Sequence, residues 1–408
     1  MRRVVVTGMA GVTPLGSDWG GIRAAMAEGS TGVRYIEDWD RLGDLRTRLG
    51  APAAHFEHEK IFPRKKMRSM GRVAALAVHS AEQALHQAGL ADDPVLTSGR
   101  TGVAFGSSYG STEPKKGFVH FMDTGVATGL SAMSYIKMMS HTAAINIGIF
   151  FGLQGRVITT SSACTSGSQA IGYSCEAIRY GHADVMIAGG AEELCPTMAI
   201  VFDTLFATSC HNDAPHTAPC PYDRDRDGLV IGEGAAALIL EEREHAMARG
   251  ATIHAEIVGF GTNMDGSHVT DPKSETMGGA LQLALGDAGL PPDAIGFVSG
   301  HGTATLQGDV AETVATSRIL GPAVPIHSLK GYFGHTLGAC GAVEAWLTIE
   351  MMREKSFAPN VNLTNVDPKC GELDYIVGRF RDIDAEYTMS NNFAFGGVNT
   401  SLIFKRSL

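Results

Sequence analysis

The run Thr159-Thr160-Ser161-Ser162-Ala163-Cys164-Thr165-Ser166-Gly167-Ser168 places a thiol where a β-branched strand end gives way to small residues and then to a helix. A cysteine in the first turn of a helix faces unpaired backbone N–H groups and the positive end of the helix dipole, both of which favour a thiolate. The same donors can hold an oxyanion on a carbonyl attacked at that point. Two histidines in the second half share a setting. Strand Phe297-Val298-Ser299 runs into Gly300-His301-Gly302-Thr303, and strand Ile326-His327-Ser328 leads to Lys330 and then Gly334-His335-Thr336. Side chains at strand ends reach the carboxyl edge of a sheet, where ligands bind in α/β folds. Cys164, His301 and His335 form a set suited to acyl transfer through a thioester, with imidazoles to stabilise a developing enolate. Cys175, Cys195, Cys340 and Cys370 are expected to be buried structural thiols.

Those three side chains need strands and helices to hold them, and the chain supplies such elements twice. Ala84-Leu85-His86-Gln87-Ala88-Gly89-Leu90 recurs as Ala284-Leu285-Gly286-Asp287-Ala288-Gly289-Leu290. Each copy closes an apolar helical pattern with Gly just past the helix, where a left-handed backbone is wanted. Each is followed by a buried-strand run bounded by glycine, 102–106 and 296–300. The small-residue stretch after Thr159-Thr160 leads into a helix over 163–180, and that after Ser328-Leu329-Lys330 into a helix over 334–352. Two matches in the same order point to duplication. Continuous apolar strands such as Val185-Met186-Ile187-Ala188 alternate with helices, so the sheets are covered on both faces. The expected organisation is two fused α/β halves in one body, 1–250 carrying the cysteine and 251–408 carrying the histidines. Helices sandwiched between two sheets need small residues, and 50 glycines in 408 residues supply them.

Competing readings fail on context. Gly106-Ser107-Ser108-Tyr109-Gly110 fits the G-x-S-x-G nucleophile elbow, but that turn must lead straight into a helix, and Pro114 and Gly117 follow closely. Asp223-Arg224-Asp225-Arg226-Asp227-Gly228 begins like a calcium loop, yet Gly234 stands where the bidentate glutamate belongs and Glu233 falls one place early. A net charge of −10 argues against nucleic acid as the partner, because phosphate neutralisation needs a basic surface. Seven cysteines contain no C-x-x-C pair, which speaks against a zinc ribbon or a disulfide framework and for a reducing compartment. The most apolar stretch, 143–153, contains Asn146 and is too short to span a bilayer. Met1-Arg2-Arg3 is followed by too few apolar residues for a signal-peptide core. The expected setting is cytoplasmic, with no membrane partner.

At these residues the chain resembles the condensing enzymes of the thiolase-like fold, specifically the β-ketoacyl-[acyl carrier protein] synthases of the Cys-His-His type. The likeness runs from Val4-Val5-Val6-Thr7-Gly8 and Thr13-Pro14-Leu15-Gly16 through Ser162-Ala163-Cys164-Thr165-Ser166-Gly167 to Asp225-Arg226-Asp227-Gly228 and Gly232-Glu233-Gly234. It continues in His301-Gly302-Thr303, Asp309 and Glu312, in Gly334-His335-Thr336-Leu337-Gly338-Ala339 with Gly341-Ala342-Val343-Glu344, and in Asn391-Asn392-Phe393-Ala394-Phe395-Gly396-Gly397-Val398-Asn399. The resemblance implies two duplicated α/β halves packed in layers as α-β-α-β-α. It implies that Cys164 takes an acyl chain from acyl carrier protein, with the backbone N–H groups of Cys164 and Phe395 as the oxyanion hole. Malonyl-acyl carrier protein then loses CO2, and His301 and His335 hold the enolate oxygen. Lys330 and Glu344 match the family's charged pair, with an orienting and electrostatic role. The chemistry needs no metal or redox cofactor, only substrates on the phosphopantetheine arm of the carrier.

The resemblance also implies a homodimer, and it makes the basic run Arg64, Lys65, Lys66 and Arg68 a docking site for the acidic carrier, with electrostatics setting the encounter rate. Tyr109 stands where members tend to have a smaller aliphatic residue at the acyl-pocket wall, facing the gate Phe395. Ala304-Thr305-Leu306-Gln307 and Gly331-Tyr332-Phe333 also depart from the usual pattern. Fatty-acid elongation is the leading expectation. A ketosynthase subunit of a specialised type II polyketide or polyene pathway, paired with a non-catalytic subunit, is the alternative. A silent partner chain would lack the nucleophile, a degradative thiolase would carry a second cysteine near Gly396-Gly397, and a Cys-His-Asn starter enzyme would have Asn at 335.

Overall fold

The computed structural model describes residues 1–407. The first half contributes strands β1 (Val4–Val12), β2 (Thr101–Gly106), β3 (Val157–Thr160), β4 (Val185–Glu192) and β5 (Gly234–Glu242). They lie in the order β1-β5-β4-β2-β3, with β1/β5 and β5/β4 antiparallel and β4/β2 and β2/β3 parallel. The second half repeats this plan. Its strands are β6 (Ala255–Met264), β7 (Ile295–Ser299), β8 (Pro325–His327), the short β9 (Asp374–Tyr375), β10 (Tyr387–Phe393) and β11 (Val398–Arg406). They run β6-β11-β10-β7-β8 with the same sequence of directions, and β9 extends the far edge. The blocks join into one 11-stranded sheet where Val4, Val5 and Val6 pair antiparallel with Ile257, Glu256 and Ala255.

Helices α1 (Arg72–Ala88) and α2 (Thr142–Phe151) cover the outer face of the first block. Between the blocks lies α3 (Ser166–Arg179). On the outer face of the second block are α4 (Ser274–Ala288) and α5 (Leu306–Leu320), and α6 (Cys340–Glu354) runs beside α3. The layers are α-β-α-β-α, as the resemblance implies. Buried positions on α1 such as Val73, Leu76, Ala77, Ala81, Ala84 and Leu85 recur at helical spacing, which is why one face packs on the sheet. The repeated glycines act as foreseen: Gly89 and Gly289 take φ of 70° and 65°. Leu90 N–H then donates to the Leu85 carbonyl, and Leu290 N–H to the Leu285 carbonyl, closing each helix.

The central pair is what positions the site. Every residue of α6 from Cys340 to Met352 is buried, as for a helix enclosed by two sheets. Burying a side chain such as Trp346 or Leu347 there contributes about 1.5–3 kcal/mol. The two helices meet at glycines. A Cβ on Gly167 would lie 2.8 Å from the Ala342 backbone nitrogen, and one on Gly341 2.7 Å from that of Ser168. Any larger residue would drive apart the helix ends that carry the site. Each helix also follows a tight 3-10 turn, Ala163–Thr165 and Leu337–Ala339. The first residue of each turn takes a left-handed backbone, φ 51° at Ala163 and 46° at Leu337. The chain crosses between the blocks after the helix ending at Ala248. No helix among the described residues is long and apolar enough to cross a membrane.

Candidate active site

The turn before α3 points the Cys164 thiol at the seam between the halves, where β7 and the turn before α6 bring the two imidazoles. Cys164 Sγ lies 3.0 Å from His335 Nε2. Its sulfur and ring nitrogens of His301 and His335 all lie within 4.8 Å of one another, and the rings are edge to face with centroids 5.1 Å apart. All three residues are buried. The seven cysteines are free, and Cys340 lies beside the nucleophile candidate, donating from its thiol to the Cys164 carbonyl at 3.2 Å.

The tautomers follow from what stands behind each ring. Leu337 N–H donates to His335 Nδ1 at 3.3 Å, so that nitrogen is an acceptor and the hydrogen sits on Nε2. Behind His301, Lys330 Nζ lies 3.2 Å from Nδ1, and an ammonium can only donate. His301 therefore also carries its hydrogen on Nε2. Burial first, and the Lys330 charge second, hold both imidazoles well below the ordinary histidine range, so both are neutral. Lys330 pairs with Glu344 Oε1 in a fully buried contact, and Asn392 Nδ2 donates to Glu344 Oε2 at 2.7 Å. Burial opposes the Lys330 charge, but Glu344 outweighs it and keeps the ammonium above its usual range. The loop bearing His301 is pinned by α5. Glu312 accepts from the His301 and Gly302 N–H groups, and Asp309 accepts from Thr303 at 2.9 Å and Ala304 at 3.1 Å.

One expectation is corrected. Cys164 is not held as a thiolate, because burial pushes its thiol up to about 11. The N–H groups of Phe395 and Cys164 itself and the Lys330 charge pull the other way without overcoming it. The resting sulfur is a neutral thiol. Its alkylation by iodoacetamide should consequently rise about tenfold per pH unit from pH 7 to pH 9, since only the thiolate reacts. A rate already at plateau at pH 7, followed by stopped-time peptide mapping, would show that the donors win.

A cavity of about 430 Å³ opens from the surface onto Cys164, His301 and His335. Its wall includes Phe393 and the half-exposed Phe395, whose ring meets Phe202 edge-on at 5.8 Å. Tyr109 is not brought to this place. It does not line the cavity, the Lys115 ammonium sits 2.8 Å from its ring centroid, and the aromatic that faces Phe395 is Phe202. The G-x-S-x-G match is structural: Ser107 and Ser108 both donate to the buried Glu192, which also accepts from Gly338 N–H. Arg64, Lys65, Lys66 and Arg68 are exposed around the short turn Lys66–Ser69, with Lys66 Nζ 4.3 Å over the Phe150 ring. Phe202, Cys340 and Asn392 were missed as site residues. Asn392 stood inside a motif matched as a whole, and Cys340 at the start of the second repeat's helix, the counterpart of the first.

Paired five-strand blocks around two buried helices, with a thiol and two imidazoles at their seam, define the thiolase-like fold of condensing enzymes. The comparisons are more specific. A family model described as "Beta-ketoacyl synthase, N-terminal domain" matches residues 1–246, and one described as "Beta-ketoacyl synthase, C-terminal domain" matches 254–364. The chain belongs to the β-ketoacyl synthase family. It is 39% identical over 414 residues to a protein of Vibrio cholerae serotype O1 named 3-oxoacyl-[acyl-carrier-protein] synthase 2, with 99% of each chain covered. It matches the crystal structure of a β-ketoacyl synthase from Burkholderia phymatum STM815 at 58% identity and a TM-score of 0.98, covering 100% of both. It also matches AntDE:AntF, a type II PKS acyl-carrier protein in complex with its ketosynthase, at 30% identity and a TM-score of 0.88, again over 100% of both.

Proposed function

We propose that the chain is a β-ketoacyl-acyl carrier protein synthase that lengthens an acyl chain by two carbons in fatty-acid biosynthesis. The observation that carries this is the 3.0 Å contact of Cys164 Sγ with His335 Nε2, beside a second imidazole held with its donor hydrogen on Nε2. In the first stage Cys164 Sγ attacks the carbonyl carbon of the acyl thioester, and the carrier thiol leaves with the cysteine proton. The N–H groups of Cys164 and Phe395 stabilise the oxyanion between these events. In the second stage the malonyl thioester loses CO2, and the electron pair of the broken C–C bond passes to the thioester oxygen. His301 and His335 donate to that oxygen. The carbanion carbon then attacks the Cys164-bound carbonyl, a C–C bond forms, and Cys164 leaves as a thiolate that takes up a proton from water to restore the thiol. The steps call on no cofactor beyond the carrier's phosphopantetheine arm.

The supporting features extend to partners. The exposed run Arg64, Lys65, Lys66 and Arg68 is read as the docking site for the acidic carrier, with its reach set by salt. Strand β3 is one of the two end strands of the sheet, with Val157 47% exposed and Ile149 of α2 66% exposed beside it, an arrangement suited to pairing with a second copy. We read the halves as 1–250 and 251–408, and the cytoplasm as the compartment. The match to the AntDE:AntF ketosynthase supports a second reading, a polyketide or polyene ketosynthase in a heterodimer with a synthase-like subunit. Intact-mass measurement after incubation with a panel of acyl-acyl carrier proteins, followed by malonyl-acyl carrier protein, decides between them. Saturated chains loaded on Cys164 and released two carbons longer support elongation. Loading only by unsaturated or aromatic chains supports the second reading, and no loading from any donor overturns the first and points to a missing partner subunit or to catalytic residues that do not act.

A further inference from the structure

The His301 ring is held from behind by two donors, and only one belongs to the expected set. Lys330 Nζ lies 3.2 Å from Nδ1, and Asn392 Nδ2 lies 3.3 Å from the same atom. The oxygens of Glu344 are divided between these donors, Oε1 to Lys330 and Oε2 to Asn392. The carboxylate contact fixes which end of the amide faces the site, since only the NH2 group can donate to it. With two hydrogens, Asn392 Nδ2 satisfies Glu344 and His301 together. Asn392 is fully buried, and its Oδ1 has no partner. A buried acceptor without a partner is a cost that an apolar residue would not incur. What the amide supplies in return is its pair of N–H groups.

We infer that Asn392 is a positioning residue for His301: a neutral second donor that, with Lys330, holds Nδ1 as an acceptor and keeps the ring hydrogen on Nε2, the atom turned to the cavity. This rests on the reading of His301 as a donor to the enolate oxygen. The arrangement divides the work. Lys330 brings a full charge that also bears on Cys164, while Asn392 contributes direction without charge. Acyl loading of Cys164 uses the Phe395 and Cys164 N–H groups and does not call on the His301 tautomer.

Asn392→Asp tests the inference. A carboxylate against Nδ1 favours a hydrogen on that atom and leaves Nε2 a poorer donor or the ring a cation. Decarboxylation of malonyl-acyl carrier protein should fall about 100-fold, the scale of losing one preorganised donor, while acylation of Cys164 changes far less. Asn392→Ser, which keeps a shorter donor, should recover part of the loss. Nitrogen-15 spectra of the histidine-labelled parent should show His301 protonated on Nε2 and not on Nδ1, a readout that needs no variant to fold. An Nδ1–H tautomer in the parent, or half-reactions in Asn392→Asp that are unchanged or fall together, overturns the inference. His301→Ala separates the two levels. If it leaves decarboxylation intact, the reading of His301 fails; if it abolishes decarboxylation and Asn392→Asp does not lower it, only the role of Asn392 fails.

Discussion

Replacing Cys164 by alanine is expected to lower condensation at least about 1,000-fold, the scale on which removal of a nucleophile acts, and to leave no acyl adduct on the protein. No neighbouring group can take over. Cys340 is the nearest other thiol, but it is absent from the cavity wall and its thiol donates to the Cys164 carbonyl. The two imidazoles keep their own supports, Leu337 N–H behind His335 and Lys330 with Asn392 behind His301. Release of CO2 from malonyl-acyl carrier protein should therefore persist in the variant while chain extension stops. Intact mass and trapped CO2 measure the two separately. Chain extension persisting in Cys164→Ala would mean that a different residue carries the acyl group.

Lys330→Ala is expected to be the most damaging change to stability within the site. Lys330 and Glu344 are 1% and 2% exposed, and removing the cation leaves the carboxylate buried with only Asn392 as donor. Breaking a buried pair on one side costs about 3–5 kcal/mol. Decarboxylation should fall as well, since His301 loses the stronger donor to Nδ1. The two effects can be told apart. Lys330→Met combined with Glu344→Leu removes both charges and should regain most of the stability, as apolar replacements of buried pairs do, without regaining decarboxylation. Urea unfolding followed by fluorescence reports the first quantity and CO2 release the second. A double variant that recovered decarboxylation would make the pair purely structural.

Much of this molecule is written locally. Gly89 and Gly289 announced the helix ends and the duplication, and apolar runs such as 185–188 announced strands covered on both faces. Cys164 and His301 were legible because each sits among small residues just past a strand end, and His335 because Gly334 marks the turn that leads into the helix of the second repeat. What was hidden depends on distance in space. The helix-dipole argument for a Cys164 thiolate weighs only nearby dipoles, and burial by the opposite half outweighs them. Phe202 meets Phe395 only after both halves have packed, and Asn392 meets His301 and Glu344 only once separate stretches of the second half have come together. The left-handed turns at Ala163 and Leu337 were equally invisible, because neither residue is the glycine that normally marks such a backbone.

The burial of the Cys164 thiol bears on the lifetime of the protein as much as on its rate. Peroxide and stray electrophiles attack sulfur as the thiolate, and the oxidation ladder beyond sulfenic acid is not readily climbed back down. A sulfur held neutral by its surroundings offers such reagents little to attack between turnovers. In the proposed reaction, a thioester delivered to the cavity meets the sulfur together with the N–H groups of Cys164 and Phe395. The same enclosure that makes the free thiol sluggish thus spares it from damage while it waits for a chain.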